Sequence, residues 1–216
     1  MTCWAVIPIK ATADSKSRLA DVLNTSEREA LVGAMLAHVV SAARSATMIS
    51  RVFLIGPSRC GISEEIPLLD DPGTGLNPAV QSGMAEIARN GSDRPDRILI
   101  LFADLPEVTP RELDLLAITP TDTIAIAADR HQTGTNAISL PLPTGADFIF
   151  AFGPDSFAKH QKEAHRLGFK IETILSCGLE RDIDEANDLP DAKAALRQMQ
   201  LHQIQQQLCR ERHKNG

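Results

Sequence analysis

Apolar positions fall along this chain in short unbroken runs that alternate with stretches of helical spacing. Residues 4–9 form the first run and end at a loop, which predicts a strand buried on both faces. A helix is expected from near Ser26: Ser26 and Glu29 have capping-box spacing, and Leu31, Met35, Val39 and Ala42 follow at intervals of three and four. Residues 52–55, closed by Gly56 and Pro57, read as a second strand, and 66–69 as a shorter third. A second helix is expected around Asn77 and Pro78, with Val80, Met84 and Ile87 on its buried side and Gly91 beyond its end. Residues 98–102 are another fully apolar strand.

Thr109, Pro110 and Glu112 combine a capping box with proline at the first helical position, so a short helix should open there and stop before Pro120. Strands are expected over 123–127, 137–142 and 170–175, a helix over 156–167 with Gly168 as its stop, and a terminal amphipathic helix over 191–208. Strands and helices alternating through short connections predict an α/β fold, a mainly parallel sheet covered on both faces.

Length and charge narrow the classes. A chain of 216 residues fits one α/β domain with a core that needs no metal or disulfide to complete it. With 22 Lys+Arg against 28 Asp+Glu the net charge is -6, which speaks against a nucleic-acid or membrane-surface binder, since either needs a basic face. The apolar runs are too short to span a bilayer, and the first is preceded by no basic region of the kind a signal peptide carries, so a cytoplasmic location is expected. Cys3, Cys60, Cys177 and Cys209 lack the close spacing of zinc or redox motifs. His160 and His165 are five apart and do not share a helix face as a metal pair would.

In open α/β sheets ligands gather beyond the carboxyl ends of strands, so the residues that follow each strand are the candidates. Lys10, Lys16 and Arg18 follow the first strand; they suit either the phosphates of a nucleotide or a solvated basic loop, and without glycine the loop is no Walker motif. Asp104 follows the strand over 98–102, where it could ligate magnesium or cap a turn before Pro106. Asp182, Ile183 and Asp184 alternate as an extended segment, which turns both carboxylates to one face. Two like charges held together call for a cation, and with Asp104 they would make the all-oxygen site that Mg²⁺ prefers; Arg181 beside them offers a surface charge cluster instead. Thr133, Gly134, Thr135 and Asn136 lie between two strands, and Gly153, Pro154, Asp155 and Ser156 open a helix whose N-terminus can seat a phosphate or carboxylate, or serve only as a cap.

Taken in order, Ala5-Val-Ile-Pro-Ile-Lys10, Lys16-Ser-Arg-Leu19, Gly75-Leu-Asn77, Ala103-Asp-Leu-Pro106, Asp129-Arg-His131, Thr133-Gly-Thr-Asn136, Phe152-Gly-Pro-Asp-Ser-Phe157 with His160, and Asp182-Ile-Asp184 resemble the CofC/FbiD family, the guanylyltransferases of deazaflavin coenzyme F-420 biosynthesis. The likeness runs over residues 4–189. It implies a Rossmann-like nucleotidyltransferase fold that joins GTP to 2-phospho-L-lactate, phosphoenolpyruvate or 3-phospho-D-glycerate and releases pyrophosphate. By position it implies that Asp104, Asp182 and Asp184 hold Mg²⁺, that Lys10, Lys16 and Arg18 face the GTP phosphates with Asn77 on the nucleotide, and that Thr135, Gly153 and Ser156 bind the acceptor acid. The one departure is Gln132, where a smaller residue or glycine is common, and it bears on the shape of the acceptor pocket.

Residues 1–190 are thus expected to be the nucleotidyltransferase domain, with 191–216 a helix and tail packed on it or on a second copy in a homodimer. Two rivals share parts of the pattern: a metal-dependent glycosyltransferase, which would need a sugar pocket, and a nucleotide-binding module without catalysis, in which the aspartates would be dispensable. The physical reading fits phosphoryl chemistry. An acceptor phosphate is already mostly ionised at pH 7, so the task is to bring two anions together rather than to remove a proton.

Overall fold

The computed structural model describes residues 1–9, 16–89, 94–183 and 186–188. Lys10, Gly91, Asp184 and the helix expected over 191–208 lie outside the described residues.

The strands β1 (Cys3–Pro8), β2 (Ile49–Ile55), β3 (Leu68–Leu69), β4 (Arg97–Leu101), β5 (Thr123–Ala128), β6 (Thr135–Pro141) and β7 (Lys170–Thr173) form one sheet in the order β3-β2-β1-β4-β6-β5-β7. All neighbouring pairs run parallel except the two made by β6, which is antiparallel to both β4 and β5. The helices are α1 (Thr25–Ser45), α2 (Leu76–Arg89), α3 (Pro110–Ala117), α4 (Ser156–Arg166) and α5 (Cys177–Glu180).

The unbroken apolar runs have the consequence that periodicity requires. Every residue of β1, β4, β5 and β6 is buried, so alternate side chains feed two separate core layers. Ala5 and Ile7 pack with Val39 of α1, Leu113 of α3 and Leu179 of α5, while Trp4 and Val6 pack with Val80 and Met84 of α2 and Phe157 of α4. Each such aliphatic or aromatic side chain contributes on the order of 1.5–3 kcal/mol when fully buried, which outweighs any single cap.

Local signals met mixed outcomes. The Thr109 capping box forms as expected: Glu112 N–H donates to the Thr109 hydroxyl, and Thr109 N–H donates to the Glu112 carboxylate at 2.8 Å. At α1 the cap is Asn24 with Glu27, not Ser26 with Glu29. Asn24 takes the extended backbone of a cap, its side chain accepts from Glu27 N–H at 3.0 Å, and its own N–H donates to Glu27, so the helix begins before Ser26. The third strand shrinks to two residues because Ile66 N–H turns back onto Ser63 and Pro67 offers no donor to the ladder. α5 carried no periodic signal, being too short to show one. Cys3 is buried, Cys60 half-buried and Cys177 exposed, all free thiols, and burial pushes the Cys3 thiol up to about 12. No helix among the described residues is long and apolar enough to cross a membrane.

One topological fact positions the site. Because β6 runs against its neighbours, its first residues lie at the same sheet edge as the last residues of β1, β4 and β5.

Candidate active site

A cleft of about 670 Å³ opens along that edge. Pro8 and Ile9 line it from β1, Lys16 and Arg18 from the loop that follows, Asp104 from beyond β4, Thr135 and Asn136 from β6, Gly153 and Ser156 from the start of α4, and Asp182 from the chain after α5. The volume lies within the ~300–1,000 Å³ of ordinary small-molecule sites. All but three of the sequence-derived site residues therefore meet here. Lys10 and Asp184 lie outside the described residues, and Asn77 sits beside the lining residue Leu76.

The basic loop and the aspartates are brought together by a small apolar knot. Leu19, at the end of a 3-10 turn, is completely buried against Leu31 and Met35 of α1 and against Ile183. Ile183 N–H also donates to the Asp104 carbonyl at 3.4 Å. Burial of the middle residue of Asp182-Ile-Asp184 is what its alternation requires, and it delivers Asp182 to the cleft beside Asp104. Lys16 adopts a left-handed backbone with φ of 57°, uncommon for a residue with a side chain. Its Nζ lies 2.6 Å from Asp104 Oδ2, with only 8% of the side chain exposed. The ammonium and the carboxylate thus neutralise each other between two residues that line the cleft.

The opposite wall is built from the β5–β6 loop and α4. Asp129, at the end of β5, accepts N–H groups from His131, Thr133 and Gly134 at 2.9–3.1 Å as well as the Thr133 hydroxyl. A Cβ on Gly134 would sit 2.8 Å from the Asp129 carboxylate, so only glycine allows that wrap. The Thr133 carbonyl then accepts Phe157 N–H and ties this loop to the first turn of α4. Asp129 was part of the motif, yet its role as loop organiser was not assigned; the hint is an aspartate at a strand end followed by Thr-Gly, the pattern of a carboxylate that binds nearby amides.

The start of α4 departs from ordinary capping. Gly153 has φ of 119°, and the cap residue Asp155 is left-handed with no side-chain cap bond. Ser156 is 2% exposed, lines the cleft, and its hydroxyl has no hydrogen-bond partner among the described residues. Thr135 is likewise buried, with Oγ1 2.9 Å from His160 Nδ1. Burial pushes His160 down to about 4, so its ring is neutral at physiological pH. Asn77 is occupied structurally: its amide donates to the Phe152 carbonyl at 3.0 Å and accepts Phe152 N–H at 2.7 Å, clamping the chain that leads into Gly153. Gln132, the departure from the family pattern, is exposed, does not line the cleft, and has φ of 55°; its consequence is a left-handed backbone position rather than an altered pocket.

The donor set also fits magnesium in one defined way. Among the described residues no three His, Cys, Asp or Glu side chains form a ready metal cage. Asp104 and Asp182 instead offer hard carboxylate oxygens beside space for a phosphate, the arrangement of a cation held by one or two carboxylates and its substrate.

An open, mostly parallel sheet with cations, two aspartates and an anion-suited helix start lining a cleft at its carboxyl edge suits an enzyme that handles nucleotide phosphates. A nucleotidyl transferase from Methanothermobacter thermautotroptrophicus shares the fold with a TM-score of 0.64 at 17% identity, over 91% of this chain and 99% of that one. The model of the family described as guanylyl transferase CofC like matches residues 3–194, so the chain belongs to the CofC family of guanylyltransferases. Its relatives include a protein of Sphaerobacter thermophilus, 39% identical over 88% of this chain and 92% of that one, and one of Chloroflexus aurantiacus, 37% identical over 85% and 91%. Both are named phosphoenolpyruvate guanylyltransferase. The glycosyltransferase and non-catalytic readings are not favoured.

Proposed function

We propose that this guanylyltransferase moves the guanylyl group of GTP onto the phosphate of phosphoenolpyruvate, releasing pyrophosphate, as a step of coenzyme F-420 biosynthesis. The observation that carries the reading is one cleft that gathers Lys16, Arg18 and Asp104 from the loops after β1 and β4 together with Thr135, Gly153 and Ser156, whose hydroxyl has no hydrogen-bond partner among the described residues. The names of the relatives supply the choice of acid.

In this reaction a phosphate oxygen of the acceptor attacks the α-phosphorus of GTP. A new P–O–P link forms as the bond from the α-phosphorus to its bridging oxygen breaks, and the electron pair leaves on pyrophosphate. The attacking oxygen carries no proton at pH 7, so no general base is needed. Lys16 and Arg18 would bind the triphosphate and offset charge that grows on the leaving group, while Ser156 and Thr135 would orient the acceptor. Asp104 and Asp182 would hold magnesium, which supplies charge neutralisation between the two anions.

The test is pyrophosphate release from GTP with phosphoenolpyruvate, 3-phospho-D-glycerate and 2-phospho-L-lactate in parallel, with and without Mg²⁺, and with ATP as control. Release that needs GTP, Mg²⁺ and phosphoenolpyruvate is expected. Release with another acid alone, or equal rates with ATP, would overturn the assignment of substrate.

A further inference from the structure

His160 is completely buried one turn into α4, surrounded by Phe148, Phe150 and Phe152 with ring centroids 5.7, 6.4 and 4.7 Å from its own. Both ring nitrogens are engaged. The main-chain N–H of Ala151 donates to Nε2 at 3.0 Å, and Nδ1 lies 2.9 Å from Thr135 Oγ1. A backbone N–H can only donate, so Nε2 must carry a lone pair. A neutral imidazole has one N–H, and it therefore sits on Nδ1 and donates to Thr135. The Thr135 hydroxyl accepts that bond and keeps its own hydrogen, for which the described residues offer no acceptor. Thr135 lines the cleft, so that hydrogen has the cleft as its open direction.

We propose that His160 is a positioning residue: locked as the Nδ1–H tautomer by Ala151, it donates to Thr135 and thereby keeps the hydrogen of the Thr135 hydroxyl free to be donated to an anionic oxygen of the acceptor acid. The inference rests on the reading of Thr135 as an acceptor ligand. It adds a reason for a histidine in a place where no proton is to be transferred. A serine or threonine hydroxyl alone is free to present either its hydrogen or a lone pair, and a lone pair facing a phosphate or carboxylate would repel it. With Nδ1–H filling one acceptor site, the rotamer that would spend the hydroxyl hydrogen on the ring is excluded before the ligand arrives. Burial keeps the ring neutral across the physiological range, so the bond does not switch with pH.

Two side-chain amides separate this role from simple packing. His160→Asn places its amide N–H near the position of Nδ1 and can still donate to Thr135. His160→Gln places its amide near Nε2, where it can accept from Ala151 but cannot reach Thr135. Both leave a smaller side chain in the Phe cage and lower the melting temperature. The expected result is an acceptor KM about tenfold higher in His160→Gln, largely restored in His160→Asn, with the GTP KM unchanged in both. Equal acceptor KM values in the two variants, or values that follow their melting temperatures, would overturn the proposal.

A measurement on the unmodified protein does not depend on the variants folding. Long-range ¹H–¹⁵N spectra of protein labelled on histidine should show a neutral Nδ1–H ring for His160, and a neutral Nε2–H ring would refute the inference. Thr135→Val decides the underlying reading separately. A tenfold rise in acceptor KM keeps Thr135 as a ligand whatever the tautomer, whereas an unchanged KM removes the acceptor reading itself.

Discussion

β4 has a cation at each end, one buried and one at the cleft, and the two could hardly be used more differently. At its start Arg97 is completely buried, and all five guanidinium N–H groups are met by neutral oxygens: Nε by the Ser139 hydroxyl, Nη1 by the carbonyls of Thr119 and Pro120, and Nη2 by those of Thr123 and Ser139. Past its end, Lys16 pairs with the Asp104 carboxylate at 2.6 Å, and both residues line the cleft. The guanidinium is a rigid fork that joins β4 to β6 and to the turn before β5, which closes the amino edge of the sheet. The ammonium is a point charge whose carboxylate partner can be exchanged for a phosphate. A cation saturated by backbone carbonyls holds structure, while one paired to a carboxylate at a ligand-sized opening is available for chemistry.

The contrast breaks most visibly at Arg97. Arg97→Met strands four carbonyls and a hydroxyl in the core and should cost about 3–5 kcal/mol. That corresponds to a fall in Tm of roughly 6–20 °C for a domain of this size, read by thermal or urea unfolding. Turnover per folded molecule should stay close to normal, and a selective loss of kcat would show that the amino edge reaches the cleft.

Asp104→Asn is the mirror experiment. Turnover should drop at least about 10²-fold, the usual scale for one electrostatic contact to a reacting phosphate or acyl group. Stability should move by no more than about 1 kcal/mol, because the lost pair is partly solvated. Destabilisation as large as that of Arg97→Met would erase the distinction drawn between the two ends.

His160 sharpens the comparison, since it too is buried among neutral partners but can change its charge. Its native pKa is lowered to about 4 by burial, against 6.5 in an unfolded chain. Between those values the unfolded chain holds the extra proton, so stability is intact above 6.5 and falls as pH is lowered through the window, by up to about 3 kcal/mol. Urea midpoints measured from pH 7 to pH 4.5 should show this slope, and His160→Gln should flatten it. A slope that survives the substitution would assign the loss to other groups.

The smallest effect belongs to Gln132. Its left-handed backbone costs a residue with a side chain about 1 kcal/mol, so Gln132→Gly should raise stability by roughly 0.5 kcal/mol after the entropy of glycine is counted. The acceptor KM should not change, because the side chain lies outside the cleft lining. A changed KM would mean that this loop shapes the pocket after all.

Much of this was legible in the chain. Buried strands announced themselves as continuous apolar runs, and the Thr109 capping box formed where its spacing placed it. The apolar middle of Asp182-Ile-Asp184 indicated which way the carboxylate faces, and Ile183 is buried as required. The α1 cap was missed because two acceptable capping boxes overlap, and only the backbone angles of Asn24 choose between them. The roles of Asp129 and Asn77 were hidden for a different reason. Each acts by holding main-chain groups of Thr133, Gly134 or Phe152, and such partners leave no mark in residue type.

The sequence by itself determined the alternation of strands and helices, the two-layered core and the residue types gathered for phosphate chemistry, because periodicity and local charge are properties of neighbours along the chain. Only the tertiary structure decided that β6 runs antiparallel, which brings Thr135 to the edge where β1, β4 and β5 end. It also decided which hydroxyls are spoken for. Thr135 and Ser156 look alike in the chain, yet one is held by a histidine 25 positions away and the other, at a helix start, meets no partner among the described residues, since hydrogen bonding depends on what packing brings within about 3 Å.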